Sequence, residues 1–139
     1  MVYNKNYIQA VFLVDLAVAS KREQQFAEIH WEGNTREILA GFPESVRADL
    51  GFSLWQLQQG KAPKSAARRM QSLGPGVWEL KESNETTWYR MMYLSRIDNV
   101  IHILHCFEKK TRKTDRRDLE IVRDRLGQVQ QRIRYKRKK

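Results

Sequence analysis

The sequence predicts an α+β domain: N-terminal helices, an antiparallel β-meander and a C-terminal helix. Three observations lead there. Apolar residues recur at helical spacing before and after three strand-like runs. Those runs are joined by short polar connections of the kind that close hairpins. The chain's 139 residues suffice for one moderate core and not for two good ones.

The first segment, YIQAVFLVDLAVAS (7–20), has a short apolar core and an AVA box like that of a cleaved leader. Only Lys5 supplies a cationic flank, and Asp15 interrupts the apolar run. About a dozen apolar residues cannot cross a bilayer. The expectation is a packed helix or an over-extended start in preference to export. Residues 1–27 are treated as an extension, 28–128 as the domain and 129–139 as a basic tail.

From Trp31 onward the pattern sharpens. Asn34 and Glu37 have capping-box spacing, Ile38 and Leu39 supply an apolar side, and Gly41 ends a short helix. Pro43 opens a second helix, with Val46, Leu50, Leu54 and Leu57 on one face and Gly60 just past its end. GKAPKSAARRM reads as a loop or broken extended segment, stopped by Gly74-Pro75-Gly76. VWELKE (77–82), TWYRMMYL (87–94) and VIHILHCF (100–107) are aromatic and β-branched enough for strands. Asp115 and Asp118 suit the start of a last helix, whose stripe is Leu119, Val122, Leu126, Val129 and Ile133. The end, YKRKK, is expected to fray, and the helices to lie on one sheet face.

Charge is distributed unevenly. Residues 109–139 hold 14 Lys/Arg against 4 Asp/Glu, a net of +10, whereas the preceding residues balance. That asymmetry points to an acidic macromolecular partner: RNA, DNA or an acidic protein. The single Cys106 excludes an internal disulfide framework and fits a reducing cytosol. Cys106 reads as a small buried residue with no adjacent base. His30, His102 and His105 are too few and too scattered for a metal site.

Two features could carry chemistry. Arg90 lies within a strand and shares a face with Trp88 and Met92. It either pairs with Glu79 or Glu82 across strands or presents its fork of donors to a phosphate. The KKTRK knot (109–113) reads first as a solvated turn. Its place at a strand end, directly before a helix N-terminus, makes it a phosphate receptor instead. Strict alternation puts His105 on one face with Ile101, Ile103 and Phe107, and His102 on the other with Leu104 and Cys106. His105 is a minor candidate for a base or an RNA contact, and Trp88 for stacking a base.

The succession FPESVRADLG, GPGVWELKES, WYRMMY and HILHCFEKKTRKT with DLEIVRDRL resembles the phage-derived HigB-like toxins of the RelE superfamily. The resemblance spans about residues 30–127. It implies the RelE-like toxin fold and a bacterial, cytoplasmic endoribonuclease that cuts translated mRNA on the ribosome. It also implies a type II toxin–antitoxin pair, in which a helix-turn-helix antitoxin holds the toxin in a hetero-oligomer, with no membrane association. The implied chemistry uses no metal or cofactor: a 2′-hydroxyl attacks the adjacent phosphate under Lys/Arg stabilisation. Arg90 is implied as the phosphate clamp, and Lys109 and Lys110 as catalytic cations. Lys81 is implied as the strand cation and Lys113 as the rim; Arg112, Trp88 and His105 join them as candidate RNA contacts. A lysine serving as acid or base would need a lowered pKa, which a like-charge cluster produces. Lys113-Thr114-Asp115 stands where the family commonly has Lys-Thr-Pro, adding a negative charge beside the knot. The alternative is a non-catalytic RNA- or ribosome-binding module that uses the same basic face.

Overall fold

The computed structural model describes residues 26–111 and 113–138, so the apolar segment at 7–20 lies outside the described residues. Among the described residues five strands and three helices follow one another: β1 (Glu28–Trp31), α1 (Thr35–Ala40), α2 (Glu44–Gln58), β2 (Ala66–Arg69), β3 (Val77–Ser83), β4 (Trp88–Ile97), β5 (Val100–Lys109) and α3 (Arg116–Lys138). The α+β class, the β3–β4–β5 meander and the terminal helix are as the sequence predicts. The sheet order is β1-β5-β4-β3-β2, antiparallel throughout except for β1, which runs parallel to β5. β1 was not expected, and β2 lies in the stretch read as a loop or broken extended segment. No helix among the described residues is long and apolar enough to cross a membrane.

The helices cover both faces of the sheet, not one. Leu39 of α1 and Val46, Leu50 and Leu54 of α2 pack on Leu80, Met91, Tyr93 and Ile103. On the opposite face Val122, Leu126 and Val129 of α3 pack on Val77, Met92, Leu94 and Phe107. The cause lies in β4 and β5, which are apolar on both sides and so must be buried on both. Each fully buried Leu or Met in these layers is worth about 1.5–3 kcal/mol.

Local signals hold with small changes. Pro43 takes the N-cap position of α2, and the helix proper begins one residue later. Gly60 has φ +76, and its N–H and that of Lys61 donate to Leu57 and Gln56 carbonyls, closing α2 as a Schellman turn. The capping box at Asn34 does not form. Asn34 Oδ1 instead accepts from Arg125 Nη2 at 3.1 Å. Asp98 and Asn99, both at positive φ, make a two-residue hairpin turn between β4 and β5. Among the described residues α3 continues helical to Lys138 where a frayed end was expected, with Arg132 on Glu32 and Arg137 on Asp98.

One irregularity matters for everything that follows. Met92 pairs with His105 but Tyr93 pairs with Ile103, so Leu104 is an extra residue, a β-bulge. Arg125 Nη1 donates to the Leu104 carbonyl at 2.9 Å. Strict alternation would put His102 and His105 on opposite faces. The bulge turns His105 and Phe107 toward α3, away from Ile101 and Ile103, and so places both histidines on the α3 face.

Candidate functional site

The α3 face of the sheet ends in a group of charged side chains. Arg90, on the central strand, is 2% exposed. Its Nη1 donates to Glu79 Oε2 at 3.3 Å and to the Thr114 hydroxyl. The Glu79 side chain is as deeply buried, and its other oxygen lies 3.7 Å from Arg68 of the edge strand β2. The cross-strand pairing is therefore the arrangement present, and Thr114, just before α3, stands over it. Buried charges persist only when paired.

Lys109 comes next, at the end of β5 and opposite Trp88. Its ammonium donates to Asp115 Oδ2 at 2.6 Å and lies 3.7 Å from Asp118 Oδ2. The other Asp118 oxygen meets His105 Nε2 at 2.8 Å, and the His105 ring stacks on Phe107 with centroids 4.9 Å apart. Burial pushes the His105 imidazole below its ordinary pKa of 6.5, although Asp118 opposes that shift. The hydrogen bond to Asp115 pushes Lys109 above its ordinary pKa, and the same bond holds Asp115 below its own. This reverses the expectation of a depressed lysine. Burial, the one opposing influence, is outweighed by a carboxylate in contact.

Lys81 pairs with Arg90 in register and holds its Nζ 4.8 Å from the centre of the Trp88 ring. One face of Trp88 is thus already covered by a cation. Lys110 and Lys113 are exposed on the turn before α3. The structure brings Arg90, Lys81, Trp88, Lys109 and His105 to one end of one sheet face. Arg112 lies outside the described residues. Asp115, expected at a helix start and as a negative charge beside the knot, and Asp118, expected at the helix start, turn out to be the partners of Lys109 and His105. Their spacing from the knot carried no such signal, because α3 folds back over the strand before presenting them. Cys106 faces the α1–α2 layer, fully buried, and burial drives its thiol pKa well up, which leaves it inert as a nucleophile.

The cation cluster thus sits at a sheet end of an α+β fold, screened by the segment that leads into the covering helix. The profile of the family described as "Phage derived protein Gp49-like (DUF891)" matches residues 37–127, and the chain belongs to that family. No curated protein and no solved structure matches it significantly.

Proposed function

We propose that the chain is the toxin of a type II toxin–antitoxin pair, an endoribonuclease that cuts mRNA on the translating ribosome. The observation that carries this is the arrangement around Arg90 and Lys109. An Asp115 carboxylate and a Thr114 hydroxyl occupy these two cations, in the places that oxygens of an RNA phosphate would take. RNA engagement then consists of exchanging protein oxygens for phosphate oxygens as residues 113–115 move aside. Family membership supports the class.

In this reading Arg90 holds the non-bridging oxygens and Lys81 adds charge at the mouth. The 2′-oxygen bonds to phosphorus as the P–O5′ bond breaks. The 2′-hydroxyl proton passes to water and water returns one to the departing 5′-oxygen, whose developing charge the Lys109 ammonium stabilises, leaving a 2′,3′-cyclic phosphate. Lys110, Arg112 and Lys113 form the rim that follows the backbone. A small helix-turn-helix antitoxin, forming a hetero-oligomer with the toxin, would hold it inactive in a bacterial cytoplasm. The burial of Arg90 favours a second reading, a non-catalytic RNA- or ribosome-binding module. Such a module would bind with strong salt dependence and no cleavage.

Induced expression followed by mapping of mRNA 5′ ends separates the two. New ends should appear within translated frames and vanish in Lys109→Ala, while ribosome association persists. Ribosome association by the wild type without new ends overturns the nuclease and leaves the module. Equal cutting of untranslated RNA overturns ribosome dependence.

A further inference from the structure

All three histidines sit on the α3 face, and two of them gather at the end remote from Lys109. His30 of β1 and His102 of β5 are register partners, with rings edge-on and centroids 5.3 Å apart. Glu32 follows two residues after His30 and so points to the same side. Its Oε2 lies 3.1 Å from His102 Nδ1, between residues 70 apart in the chain. One ligand atom from each of His30, Glu32 and His102 can be chosen so that all lie within 4.8 Å of one another.

We propose that His30, Glu32 and His102 bind a divalent transition metal ion of the zinc class. Two imidazoles and one carboxylate form a borderline ligand set that suits Zn²⁺ and Co²⁺ and not Mg²⁺ or Ca²⁺. Ligands bonded about 2.0–2.1 Å from one zinc lie roughly 3.3 Å apart. The His102–Glu32 edge is close to that length already. His30 has the freedom to close the remainder, since its side chain is 48% exposed.

The surroundings are built as an outer shell. Arg132 Nη2 donates to Glu32 Oε1 at 2.6 Å, which leaves Oε2 for the ion and fixes the carboxylate's orientation. Glu28 Oε2 lies 3.4 Å from His30 Nε2 and can orient that ring. His30, His102 and Arg132 line a cavity of ≈ 960 Å³ between the β1–β5 edge and the end of α3, so a fourth position stays open to solvent or a ligand oxygen. Three ligands in place of four, with a guanidinium nearby, make this a weaker site than a closed four-ligand one.

The inference does not depend on the nuclease reading, and its test needs no RNA. Untagged, chelator-stripped protein is titrated with Co²⁺ and with Zn²⁺. One equivalent of Co²⁺ should bring up visible d–d bands, and Zn²⁺ should quench them and raise Tm with concentration. His30→Ala changes an exposed side chain at a strand edge and should weaken Zn²⁺ binding at least tenfold with the metal-free Tm unchanged. Glu32→Gln should weaken it comparably. Absence of a saturable one-to-one site for either ion overturns the proposal. So does unchanged Zn²⁺ affinity in His30→Ala.

Discussion

Arg90 and Glu79 form an ion pair at 3.3 Å in which the two side chains are only 3% and 2% exposed, on adjacent strands of the sheet. Removing one partner strands the other charge in the interior, which costs about 3–5 kcal/mol. Arg90→Ala and Glu79→Ala should each lose about that much in urea unfolding. The double replacement Arg90→Met with Glu79→Leu should recover most of it. If Arg90 also holds phosphate, the double variant folds and fails to arrest growth, which separates chemistry from stability. An arrest as strong as wild type in that variant removes Arg90 from the mechanism.

Lys109 is held charged by Asp115, so its contribution at neutral pH is that of a cation. Lys109→Arg should keep a substantial part of the activity and Lys109→Ala should lose it. Asp115→Asn takes away the carboxylate that competes with phosphate and should tighten binding to single-stranded RNA by about three- to tenfold in filter binding at low salt. Equal or weaker binding by Asp115→Asn would show that Asp115 does not occupy the phosphate position.

His105 faces Asp118 and Arg125 from α3, and burial holds its pKa below 6.5. Because the fold disfavours the imidazolium, the unfolded chain binds the extra proton more readily. Stability from this group is therefore complete above pH 6.5 and falls as the pH drops from 6.5 toward the folded pKa. NMR titration of the His105 ring should give a midpoint below 6.5. His105→Gln should flatten the decline in urea stability between pH 7 and pH 5. His102, lowered chiefly by burial, contributes with the same sign, so some slope remains.

The bulge at Leu104 rests on Arg125, whose guanidinium donates to the bulge carbonyl and to Asn34. Arg125→Leu leaves that carbonyl with one donor fewer and should cost about 1.5–3 kcal/mol in urea unfolding. Amide exchange at residues 103–105 should quicken more than in the β3–β4 pair. A uniform change across the sheet would argue against a local role.

Much of this was legible beforehand, and the failures have physical causes. The stripe of α3 and the apolar face of α2 are long enough for their period to show. β1 is four residues at an edge, and β2, Ala-Ala-Arg-Arg, is exposed throughout. β1 alternates, with Ile29 and Trp31 turned to the core, but four residues are too few for the period to stand out, and β2 has no buried side to mark it. The two-sided cover of the sheet was present in the unbroken run Tyr-Arg-Met-Met-Tyr-Leu, which no single-faced strand would carry. The bulge was not legible, because one added residue inverts every face assignment after it while leaving composition untouched. For the site, Arg90 and Lys109 were picked out by position. Glu79 was among the cross-strand partners expected for Arg90, whereas the partners of Lys109 depended on where α3 returns, which local spacing does not encode.

The parallel docking of β1 on β5 also sets an order in time. Residues 28 and 100 must meet across most of the domain, whereas the β3–β4–β5 hairpins close over a few residues. The meander can assemble while β1 is still searching, and β1, like β2 four residues long and at an edge, has little pairing to hold it. The surface that carries His30 and Glu32 is therefore a late one to form.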